Sequence, residues 1–93
     1  MKELPIPPAA FASGREIVRA WAADEKLHVA LASETWEDPG AWGIFLVDLA
    51  KHVANAFAER GADHDEVLAR VREGFDAEWT RATSDVEGTS FDA

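Results

Sequence analysis

Between Glu37 and Gly61 the chain reads EDPGAWGIFLVDLAKHVANAFAERG, a stretch in which apolar side chains outnumber polar ones in nearly every turn. With each residue set about 100° from the last, Trp42, Phe45, Leu46, Val47, Leu49, Ala50, Val53, Ala54, Ala56, Phe57 and Ala58 fill an arc of about 220°, against about 100° for a helix with one buried face. Asp48, Lys51, His52, Asn55 and Glu59 share the narrow remainder with Ile44. The pattern predicts one long helix over residues 38–60. Asp38 is placed to cap its first turn, Pro39 sits where a missing N–H is no loss, Gly61 closes the far end and Arg60 suits the negative pole of the dipole. One packing partner cannot cover so wide an arc.

Upstream the period changes to two. EIVRAWA, ADEK and LHVALAS predict a β-hairpin over residues 15–33 that turns at Asp24-Glu25. A two- or four-residue loop pairs Val18 with Leu31, Ala20 with Val29 and Ala22 with Leu27, a wholly apolar face. The other face then carries Ile17, Arg19, Trp21, His28 and Ala30. A three-residue loop would bury Arg19 beside Leu31 and is rejected. Downstream, Asp63 with Glu66 three residues on has capping-box spacing and opens a second helix over 64–80. Its Val67, Leu68, Val71, Phe75 and Trp79 make an ordinary one-sided stripe, and Gly74 at the stripe's edge suits a close backbone approach. The short loop before it makes the two helices antiparallel neighbours.

Residues 1–14, rich in proline, predict an extended arm that Leu4, Ile6 and Phe11 could pin to the body, and residues 83–93 predict a flexible acidic tail. The fold expected is therefore α+β, a single domain over residues 1–82: extended arm, antiparallel β-hairpin, then two antiparallel α-helices packed on one face of the hairpin.

Charge and composition narrow the function. Eighteen acidic against nine basic residues give a net charge of -9, which opposes binding to nucleic acid and to anionic membranes; the charges are also too scattered for a mimic of DNA. Without cysteine there is no disulfide, thiolate metal site or cysteine nucleophile. No apolar run has the length of a signal peptide or a membrane span, so a cytoplasmic protein is expected.

WEDPGAWG at 36–43, LVDLAKHVANAF at 46–57 and GFDAEW at 74–79 resemble a small, uncharacterised, mainly alphaproteobacterial family catalogued as a domain of unknown function. The resemblance implies no catalytic residues, and the acidic Asp24-Glu25 turn departs from the glycine-rich hairpin expected there.

Chemistry has few candidates. Asp48 and His52, four apart, fit a surface ion pair better than an acid–base or metal fragment, since no third ligand sits at a telling spacing. His64 between Asp63 and Asp65 reads as a solvated helix start, and Gly40 and Gly43 around Trp42 as packing positions. No cofactor, metal ion or catalytic group is expected. Two readings remain. The first is a non-enzymatic interaction module that pairs with itself as a homodimer, with Ile17, Trp21, Val47, Ala54 and Ala58 against the partner. The second is a small-molecule binder or minor enzyme that uses Arg19, Trp21 and His28 on the second face of the hairpin.

Overall fold

A computed structural model of the chain describes residues 3–80 and 86–91, the last six as backbone. The chain is α+β, with a hairpin followed by two antiparallel helices, and its contacts fall into two compact units: residues 3–35 with 86–91, and residues 36–80.

The first unit is built on strands β1 (Val18–Ala23) and β2 (Lys26–Ala32), which pair antiparallel with Val18 opposite Leu31, Ala20 opposite Val29 and Ala22 opposite Leu27. This is the register that the apolar alternation predicts, closed by a loop of two residues. Asp24 and Glu25 both take positive φ, 54° and 60°, so the turn twists with the strands as a type I′ turn does. Aspartate tolerates that left-handed region through its short polar side chain, whereas glutamate carries strain there. Beyond β2 a short 3-10 turn, Ser33–Thr35, leads out of the unit, and the Thr35 hydroxyl donates to the Ala32 carbonyl at 2.7 Å.

Both ends of the chain depart from the expected pattern. The arm is not extended throughout: α1 (Pro8–Ser13) is a short helix entered through two prolines. Pro7 occupies the cap and Pro8 the first helical position, where a missing N–H is harmless, and the Phe11 N–H closes the turn on the Pro7 carbonyl at 3.0 Å. Leu4, Ile6 and Phe11 stay largely in solvent and do not pin the arm. At the other end, Val86–Phe91, expected within a flexible tail, forms strand β3. It runs parallel to β2, with Leu27 opposite Val86 and Ala32 opposite Phe91, and leaves β2 central in the order β1-β2-β3. β2 otherwise has a full edge of unpaired backbone groups, and β3 satisfies it. The rest of the expected tail, 83–85 and 92–93, lies outside the described residues.

The second unit is a helical hairpin. Helix α2 (Pro39–Glu59) starts where the Asp38 carboxylate accepts the Gly40 N–H at 2.9 Å, and Pro39 fills its first position. It ends as the Gly61 and Ala62 N–H groups bond back to the Ala58 and Phe57 carbonyls, a closure that needs the φ of +99° at Gly61. Arg60 lays its guanidinium 4.6 Å above the Phe57 ring. Helix α3 (His64–Thr80) begins at Asp63, whose carboxylate accepts the Glu66 N–H at 2.9 Å. α2 and α3 pack on one another. Ala54 is the fully buried residue of the pair, while Ala50, Ala58, Val67, Leu68 and Val71 are half-buried. Ala50, Ala54 and Ala58 form a row of small side chains four apart, over which another helix backbone can come close. Gly43 and Gly74 are not close-approach points, since among the described residues a Cβ at either would meet nothing within 4 Å.

Candidate functional site

On the hairpin the pairing brings the expected residues together on one face: Trp21 stands opposite His28, and Arg19 opposite Ala30. Their polar groups are engaged locally. The Arg19 Nε–H donates to Glu16 Oε2 at 2.7 Å, and this bond together with the carboxylate charge raises the pKa of an already strong base. His28 Nε2 lies 3.2 Å from the Ala23 carbonyl oxygen. The indole of Trp21 stays about half exposed, and Ile17, on the same face, is half-buried. At the turn an open depression is lined by Ala22, Ala23, Glu25, Lys26 and Leu27.

The other candidates separate. Asp48 and His52 are exposed, and no ion pair joins them among the described residues. His64 Nδ1 lies 3.0 Å from Asp65 Oδ1, while Asp63 is committed to the helix start. Among the described residues no cluster of three or more histidine, aspartate or glutamate side chains could hold a metal ion. No described helix is long and apolar enough to cross a membrane.

The larger feature lies on the helical unit. Of the α2 residues expected to face a partner, Ala54 has 0% of its surface exposed and Ala58 is half-buried, so that side of the arc is taken up within the chain; Val47 at its margin stays open. The sector left bare is the other one. Leu46, Leu49 and Phe57 keep 44 to 47% of their surface exposed and Val53 keeps 36%. Their spacing of three and four is the a/d spacing of a helix seam, and that signal was available in the residues from the start. At the head of the same sector Trp36, Trp42 and Phe45 form an aromatic cluster, with Trp36 and Trp42 edge-to-face at 4.9 Å and Trp42 and Phe45 edge-to-face at 5.8 Å. On α3, Phe75 and Trp79 stack at 5.5 Å, with Trp79 mostly in solvent.

A chain of this build has counterparts. The sequence profile of DUF5076, a domain of unknown function, matches residues 3–83. The chain belongs to that family. Among solved structures, this DUF5076 chain is similar to a protein of the photosynthetic bacterium Rhodopseudomonas palustrus CGA009 that carries the name "putative pyruvate dehydrogenase". The two are 36% identical, with a TM-score of 0.70, over 91% of this chain and 90% of the other. No curated protein matches the chain.

Proposed function

We propose that this DUF5076 domain is a non-enzymatic protein-interaction module that works as a homodimer through its helical unit. One observation carries the reading: the amount of apolar surface that α2 and α3 leave open. The exposed parts of Leu46, Val47, Leu49, Val53 and Phe57, with Phe75 and Trp79, come to roughly 700 Å², taking a whole large side chain as about 200 Å². That approaches the share of about 800 Å² that each partner brings to a standard interface. Single exposed apolar residues are normal, but so many on two helices are not. Light scattering at tens of micromolar tests the reading: twice the chain mass is expected, and a monomer mass refutes it.

A second reading keeps some support from the exposed Trp21 indole beside Arg19 and His28, where a small aromatic or carboxylate ligand could stack. The name carried by the Rhodopseudomonas protein suggests pyruvate as a first ligand to try. It ranks second because Glu16 already engages the guanidinium such an anion would need. Titration with pyruvate, followed by tryptophan fluorescence in the wild type and in Trp21→Phe, decides it: saturable quenching lost in the variant would revive this face.

A further inference from the structure

We infer that the bare sector of α2 is a two-fold, antiparallel helix seam that receives α2 of a second copy. This rests on the homodimer reading and names the surface and its register. Along α2 the positions Trp42, Leu46, Leu49, Val53, Ala56 and Arg60 alternate in steps of four and three, the a/d repeat of a two-helix seam. From Leu46 to Ala56 it contains no charge, while Asp48, Lys51 and Asn55 lie on the opposite side of the helix. The seam also lies away from the buried Ala54, so α3 and a second α2 can flank the helix together.

The register follows from matching large groups with small ones. Two antiparallel copies centred near residue 51 set Leu46 against Ala56 of the other copy and Leu49 against Val53, and place Phe57 beside Gly43. A side chain at Gly43 would meet nothing within 4 Å, so there is room for the ring. His52 then meets its own counterpart across the two-fold axis, on the flank of the seam away from the Ala50, Ala54 and Ala58 row that α3 occupies. Glu59 falls beside Phe45, so no like charges face each other at the seam's edges. A parallel pairing fails on the same residues, because it sets Arg60 on Arg60, Phe57 far from Gly43, and both helix dipoles side by side.

The chain has no cysteine, so single cysteines report the register directly. His52→Cys, treated with a bis-maleimide about as long as the 8–10 Å between packed helix axes, is expected to give a covalent dimer on a denaturing gel. Lys51→Cys, on the outer side, and Glu59→Cys, whose counterpart lies about 24 Å away along the axis, are expected to stay monomeric. Leu49→Glu is expected to shift the light-scattering mass to that of one chain while the helical circular dichroism persists, since Leu49 is already half in solvent. A dimer mass with cross-linking at 51 or 59 but not at 52, or a Leu49→Glu variant that stays dimeric, overturns the seam and leaves the homodimer standing. A monomer mass for the wild type overturns both.

Discussion

The two helices of the second unit are packed on each other, yet their outer faces could hardly differ more. α3 turns a laced polar surface to solvent: Arg70 pairs with Glu73 at 3.2 Å and Arg72 with Asp76 at 3.0 Å, each one helical turn apart. α2 turns out Leu46, Leu49, Val53 and Phe57 instead. Both helices have the same kind of start, an aspartate accepting a backbone N–H at 2.9 Å, and each lies against the other. What separates them is the width of the apolar arc. A stripe of about 120° is covered over Val67, Leu68 and Val71 by one packing partner, with Phe75 and Trp79 left open toward its end, whereas an arc of about 220° leaves a sector over along its length. α3 therefore keeps charge pairs on its outer face and opens apolar surface only at Phe75 and Trp79 near its end, whereas α2 leaves a whole apolar sector in solvent.

The largest effect that would break this comparison is at Ala54. With none of its surface exposed, Ala54→Asp puts an unpaired carboxylate between α2 and α3, which costs at least about 3 kcal/mol and should unfold the helical unit. Thermal melts followed by helical circular dichroism check it. A variant that melts like the wild type would mean that α2 rests on α3 through a different side.

Next comes Leu49→Ala. A leucine in the middle of a closed core loses about 2 to 5 kcal/mol on truncation, but Leu49 has about half its surface open, so the loss within one chain should be nearer 1 kcal/mol. If the seam is occupied by a second copy, the penalty must grow with protein concentration, because association stabilises the folded state by mass action. Melts at one micromolar and at one hundred micromolar separate the two contributions. An equal penalty at both would leave the bare sector of α2 without a partner.

The residues fix some of this architecture and leave the rest open for identifiable reasons. The hairpin register was legible because a slip of one residue would have buried Arg19, and both helix starts were legible because aspartate stands at each with its backbone donors in reach. The side of α2 that α3 occupies was not. Leu49 and Ala54 are both apolar, and hydrophobicity alone favours burying the larger, yet Ala54 is the one enclosed. The row Ala50, Ala54 and Ala58 lets a helix come close; its small size was a sign of approach, and the approaching helix belongs to the same chain. α1 is hard to see in the residues because proline breaks a helix interior yet suits the start of a turn, where Pro7 and Pro8 stand. β3 was missed because VEGTSF has a glycine at its centre and no clear alternation; its place depends on the free edge of β2, a property of the assembled sheet and not of the segment.

The caps sharpen the comparison at smaller scale. Asp38→Ala removes the acceptor for the Gly40 N–H and should cost about 1 kcal/mol, and Asp63→Ala should cost about the same at the start of α3. Asp38→Asn would recover most of the loss, since an amide oxygen also accepts the bond. If the alanine variants melt within a few tenths of a kcal/mol of the wild type, the helix starts are held by packing, with the Trp36 and Trp42 cluster the first place to look.

The smallest effect is expected on the charged face of α3. Arg72→Ala breaks a pair in which both side chains are mostly in solvent and the Nε–H is shared between the two Asp76 oxygens at 3.0 and 3.1 Å. Pairs of this kind, four apart on an exposed helix, contribute about 0.3 to 0.5 kcal/mol, and salt screens them. Arg72→Ala should therefore lower stability by no more than about 0.5 kcal/mol. It should leave the light-scattering mass unchanged and lose its effect as sodium chloride is raised toward molar concentration. A change in mass would be the informative failure. It would place a partner on the charged face of α3, and the bare sector of α2 would no longer be the surface that distinguishes the two helices.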